Sequence, residues 1–135
     1  MRKLVALASV LALLGIAAAA SAAVTVEDAV VCTAVTERTP EGTATTFPPE
    51  VGRIYAFTRV VGMESPGTVT HRWVYGGDTV AEVSLEVNSP SWRTWSSKEI
   101  LPEQTGEWKV EILDGAGNVL ATLPFTVGAA APAAQ

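Results

Sequence analysis

The ten residues Ser89-Pro90-Ser91-Trp92-Arg93-Thr94-Trp95-Ser96-Ser97-Lys98 bring together two of the chain's four tryptophans, two cations and a run of hydroxyls. Indole rings supply broad apolar area with one N–H donor, and guanidinium and ammonium groups pair with carboxylates, so this mixture suits a recognition surface. On a regular strand side chains alternate. Trp92 and Trp95, three residues apart, then face opposite sides of a sheet, and one of them faces solvent. A bulge or turn would break that parity and let both rings pack inside, leaving a well-filled core and nothing more.

His71 is the one histidine and Cys32 the one cysteine. A metal site of four nitrogen and sulfur ligands therefore cannot be built within one chain, and no cofactor is expected. A nucleophilic site would need His71 beside Ser96 or Ser97. No Gly-x-Ser-x-Gly elbow is present, so the bland reading of His71 is a histidine at the edge of the core, hydrogen-bonded to the backbone. Arg72 has the opposite parity to His71. If its face lies near the tryptophan stretch, Arg72, Arg93 and Lys98 form a positive spot fit for a carboxylate or an acidic partner segment. Otherwise each is a solvated charge paired with Glu82, Glu86 or Glu99. The candidate partner-binding residues are thus Arg72, Trp92, Arg93, Trp95, Ser96, Ser97 and Lys98, with His71 beside them. Trp108 and Tyr55 carry the parity of apolar neighbours and read as core aromatics, not as a sugar platform. Acidic residues are scattered along the chain, and nothing singles out a glycosidase pair.

The elements that must position these groups begin after a leader. Arg2 and Lys3 precede an apolar run from Leu4 to Ala20, and Ala20-Ser21-Ala22 forms a small-residue cleavage site, the pattern of a secretory signal peptide over residues 1–22. The run is Ala-rich and short for a membrane span, so no stable membrane insertion is expected after cleavage. The reading is an exported protein, periplasmic or extracellular. The chain holds 9 basic and 14 acidic residues, and loss of Arg2 and Lys3 leaves 7 against 14. Such a balance repels nucleic acid and anionic membrane surfaces. A single cysteine allows no intrachain disulfide, so packing alone must stabilise the domain, with Cys32 as a small buried strand residue.

Residues 23–28 read as a lead-in, and 29–127 as one domain. Ala29 to Val35 is a β-branched apolar run covered on both sides. Glu37 to Glu50, with Pro40, Gly42, Pro48 and Pro49, reads as a loop. Arg53–Val61 alternates Tyr55, Phe57 and Arg59 against Ile54, Ala56, Thr58 and Val60. Thr68–Tyr75 sets Val69, His71 and Trp73 on one side and Arg72 on the other, and Gly76-Gly77 turns into Asp78–Val87, where Val83, Leu85 and Val87 face inward. Trp108, Val110 and Ile112 then alternate with Glu107, Lys109 and Glu111. Asp114 to Asn118 is a turn, Val119–Val127 a last strand, and 128–135 a disordered tail. About seven short strands without helical periodicity imply an all-β, antiparallel, immunoglobulin-like sandwich, with Trp73 at the inter-sheet tryptophan position.

Several blocks together resemble the bacterial DUF2914 family, a domain of unknown function: Val31-Cys32-Thr33-Ala34-Val35, Phe47 with Val51 to Arg59, His71-Arg72-Trp73, Ser89 to Lys98, and Gly106-Glu107-Trp108-Lys109-Val110 through Gly117-Asn118-Val119-Leu120 to Phe125-Thr126-Val127. The resemblance implies a compact domain and brings no reaction, substrate or catalytic residue. The expectation is a non-enzymatic binding module for a protein or cell-envelope component. A purely structural exported domain, or a small hydrolase using His71, are the alternatives.

Overall fold

The computed structural model describes residues 24–128; the expected signal peptide, Ala23 and the tail from 129 to 135 lie outside the described residues. The described chain forms ten strands: β1 (Thr25–Cys32), β2 (Ala34–Thr36), β3 (Thr39–Glu41), β4 (Thr46–Phe47), β5 (Arg53–Val61), β6 (Gly67–Tyr75), β7 (Asp78–Val87), β8 (Ser91–Glu99), β9 (Gly106–Leu113) and β10 (Val119–Val127). None of its elements is a helix long and apolar enough to cross a membrane.

A three-stranded sheet, β1-β5-β8, packs on a five-stranded one, β4-β10-β9-β6-β7. Taken in chain order, the long strands place the first, second and fifth on one layer and the third, fourth, sixth and seventh on the other. This is the expected immunoglobulin-like sandwich. The fourth strand stays beside the third because Gly76 (φ 60°) and Gly77 (φ 94°) close a tight hairpin that L side chains would strain. Alternation sets the core: Ile54, Ala56 and Val60 of β5 meet Val69 and Trp73 of β6 and Val110 and Ile112 of β9, all fully buried. Trp73, Trp108 and Phe47 each lie within 6.3 Å of the Phe125 ring, centroid to centroid. Offset and edge-on arrangements of this kind add roughly 0.5–1.5 kcal/mol per pair beyond area burial.

Two stretches differ from the sequence reading. The first strand starts at Thr25, inside the expected lead-in, and Asp28 takes φ 55° where the β1–β5 register shifts. The expected strand from Ala29 to Val35 is split between β1 and β2, and the expected loop from Glu37 to Glu50 holds the turn and second strand of a β2–β3 hairpin and then β4, which runs parallel to the end of β10. Glu37 (φ 51°) and Arg38 (φ 62°) form the two-residue turn of that hairpin. Non-glycine residues seldom take such angles, which is why no turn signature marked it.

Candidate partner-binding face

Strand β8 pairs with β5 without a register shift, Val60 opposite Trp92 and Phe57 opposite Trp95. No bulge intervenes, so the two indoles lie on opposite faces, as the odd spacing requires. Each is half-buried. Trp92 points inward and packs on a small cluster of Val60, Val69 and Val87 at one end of the sandwich. Trp95 lies on the outward face and stacks on Phe57, with centroids 6.3 Å apart and planes 14° from parallel. Phe57 is itself buried on that outward side. Trp95, Phe57, Arg59 and Arg93 share with Arg38 of the β2–β3 hairpin the lining of a groove of about 1030 Å³, which also reaches Trp92 around the β8 edge and the carboxylates of Asp28 and Glu86.

Cations collect on the outward face of this sheet. The Arg93 guanidinium donates to the Arg38 carbonyl at 3.1 Å, and Arg53 donates to the Ser97 hydroxyl at 2.8 Å. Arg59 pairs with Glu27 at 3.1 Å and Asp28 at 3.7 Å. Among the described residues Arg38, Arg53 and Arg93 form no ion pair. Lys98 belongs to the Trp92 side of the strand, and its ammonium donates to the Glu99 carbonyl.

Arg72 is elsewhere. It projects from the outer face of the five-stranded sheet, where Glu111 holds its guanidinium at 2.7 Å and Glu82 stands at 4.0 Å. That hydrogen bonding keeps the Glu111 carboxyl below the ordinary range, with Lys109 adding to the effect. The expected spot of Arg72, Arg93 and Lys98 is therefore not assembled, because β6 and β8 belong to different sheets and their outward faces point apart. Arg53, Arg59 and Arg38 take its place. The first two share the parity of Tyr55 and Phe57, a signal present in the sequence; pairing of β5 with β8 is what made it matter. Tyr55 also lies on this outward face, half-buried, and so is not a residue of the central core.

His71 and Ser96 do not reach the groove. His71 is 0 % exposed and Ser96 7 % exposed, both between the sheets. One direction of donation satisfies every group: Trp73 Nε1–H donates to Ser96 Oγ (3.2 Å), the Ser96 hydroxyl to His71 Nδ1 (2.7 Å), His71 Nε2–H to Thr58 Oγ1 (3.3 Å), and the Thr58 hydroxyl to the Thr94 carbonyl (3.4 Å). This assigns a neutral ring with its proton on Nε2. A second proton would leave the ring donating at both nitrogens and break the chain of donation. Burial pushes the His71 pKa down to about 4. The histidine is held by side chains of the opposite sheet, not by backbone as expected, and Thr58 was not singled out because cross-sheet pairing leaves no mark in a sequence. Cys32, fully buried on the outward side of β1, donates its thiol to the Ala34 carbonyl at 3.3 Å, and desolvation raises its pKa.

Residues 66–127 match the family model described as "Protein of unknown function (DUF2914)". The match takes in β8 and the blocks from His71 onward; the blocks quoted from Val31 to Arg59 precede it. No curated protein matches the chain. A solved structure similar to it is a GH3 beta-glucosidase from Bifidobacterium adolescentis, with TM-score 0.44 and 9 % identity. The likeness covers 78 % of this chain and 17 % of that one, and it carries no functional argument.

Proposed function

We propose that this chain, a DUF2914 domain over residues 66–127, is an exported, non-enzymatic β-sandwich that binds a protein or cell-envelope component through the outward face of its three-stranded sheet. One observation carries the reading: a half-buried indole, Trp95, stacked on Phe57 and sharing a groove with Arg38 and Arg93, with Arg53 further along the same face at Ser97, none of the three in an ion pair among the described residues. Arginine beside aromatic area is the combination enriched where binding energy concentrates. The groove beside it supplies a concave approach.

The hydrolase alternative draws less support. Ser96 and His71 touch, but the second ring nitrogen meets Thr58 instead of an orienting carboxylate, and a substrate would have to part the two sheets to reach them. The test is capture from the producing cell's envelope by immobilised wild type, Arg93→Ala, Trp95→Ala and Arg72→Ala. The binding reading requires the first two variants to lose a partner that wild type and Arg72→Ala retain. Equal capture by all four leaves a structural module.

A further inference from the structure

The ladder between β5 and β8 fixes which backbone groups of β8 are spent. Gly62 N–H donates to the Pro90 carbonyl at one end, and Ile100 N–H donates to the Gly52 carbonyl at the other, both at 2.9 Å. In an antiparallel pair the bonded partners recur at every second residue. With the register given above, Trp92, Thr94, Ser96 and Lys98 turn their N–H and C=O toward β5. Ser91, Arg93, Trp95, Ser97 and Glu99 turn theirs away, and among the described residues β8 has no neighbouring strand on that side. At the two ends, side chains cover the outward carbonyls: Ser89 Oγ donates to Ser91 O at 2.8 Å and Lys98 Nζ to Glu99 O at 3.2 Å. The middle three residues, Arg93, Trp95 and Ser97, have no backbone partner among the described residues.

Bare edges are usually blunted by bulges, brevity or charge. The other three edges of this sandwich follow that rule. β1 is broken by the shift at Asp28, β4 is two residues long, and β7 is bulged opposite Trp73 and Val74 and lined with Glu82 and Glu86. β8 runs nine residues in continuous register. In the middle of the strand its outward charge is Arg93, with Glu99 opposite Arg53 at the far end, and Arg53 and Arg38 lie on the same outward side. A second copy pairing edge to edge would bring like charges together, whereas an acidic strand would meet free guanidinium groups. The chain's net negative charge acts weakly against this, since screening limits distant charges to about 8 Å at physiological salt.

We infer that the β8 edge receives an extended acidic peptide segment of the partner as an added strand, its backbone bonding to Arg93, Trp95 and Ser97 and its carboxylates meeting Arg93 and Arg53. This inference rests on reading the Trp95 face as the binding surface. The three residues span about 13 Å, so about five residues of the segment suffice. Backbone pairing supplies affinity and the alternate side chains supply selectivity, as in other strand-addition complexes.

The experiment is residue-resolved amide hydrogen exchange on the purified chain, alone and with a blocked nine-residue peptide alternating glutamate and valine. In the free chain the amides of Arg93, Trp95 and Ser97 exchange fast and those of Thr94, Ser96 and Lys98 slowly. Saturating peptide slows the first set and leaves the second unchanged. A peptide with glutamine for glutamate binds more weakly. Ser97→Pro removes one outward N–H without touching the β5 ladder and weakens the peptide about tenfold, while Ser97→Ala stays within about threefold. Four results overturn the inference: no saturable binding, binding without slowed exchange at the three amides, equal affinity for the glutamine peptide, or protection that grows with protein concentration alone, which would make the occupant a second copy. All of these can occur while Arg93 and Trp95 remain necessary for envelope capture, so the face can survive the loss of the strand-addition mode.

Discussion

On the outer face of the five-stranded sheet, Arg72 and Lys109 both reach Glu111, at 2.7 and 3.4 Å, and Glu82 stands at the far side of Arg72. On the outer face of the three-stranded sheet, Arg53 and Arg93 bond, among the described residues, to a hydroxyl and a carbonyl and to no carboxylate. The first face closes its charges on itself, and its glutamates and arginine sit directly across neighbouring strands, Arg72 opposite Glu111 and Glu82. On the second, β5 and β8 set Arg59 opposite Arg93 in mid-strand, although Arg53 stands opposite Glu99 at the end and Arg59 is paired with Glu27 and Asp28. Like charges placed across a pair weaken a sheet. A pairing that self-stability disfavours is a place to look for a partner, and it coincides with the one edge left without bulge or cover.

Five measurements would break or sharpen that contrast. The largest effect is expected inside, where the two sheets should behave alike: Trp108→Ala removes an indole buried against Phe125 and Tyr75 and should destabilise by roughly 3–5 kcal/mol in a denaturant melt. A small loss there would mean that Trp108 is not part of the sealed core between the sheets. Next is pH. His71 binds a proton near pH 4 when folded against 6.5 when unfolded. The unfolded chain thus holds more protons between these values, and stability should fall with acid across that window, by on the order of 3 kcal/mol in full. His71→Gln should flatten that slope in urea melts run from pH 7 to 4; an unchanged slope would remove the histidine from the account.

Smaller effects separate the outer faces. Glu111→Ala should cost about 1 kcal/mol, because Arg72 and Lys109 both lose their partner at the surface. Arg93→Ala should cost no more than about 0.5 kcal/mol in the same melt, since no ion pair is lost, and yet abolish envelope capture. If the two melts come out reversed, the charges have been assigned to the wrong faces. An aqueous quencher should also reach Trp95 on the wild type and lose most of its effect once a partner is bound.

The alternations of Thr68–Tyr75 and Gly106–Leu113 were legible because each strand buries one face, so period two is enforced by water itself; Arg53–Val61 buries Phe57 on its outward side as well, and its alternation put Tyr55 in the core, where it is not. Trp73 at the inter-sheet position followed from the same rule. The β2–β3 hairpin was not legible, since Glu37 and Arg38 adopt positive φ without the glycine or asparagine that announces it. Nor was the chain of donors through Trp73, Ser96, His71, Thr58 and Thr94. Its members come from β5, β6 and β8, and no spacing along the chain encodes which strands meet.

Composition and alternation by themselves thus determined an all-β sandwich, because solvent sorts apolar from polar side chains locally; that the indoles of β8 lie on opposite sides was settled by its unshifted register with β5. Which arginines share a face, which strand ends a sheet, and whether a histidine is met by hydroxyls or by water were decided only when two layers closed on each other, since hydrogen bonds and charges depend on neighbours that the chain brings in from tens of residues away.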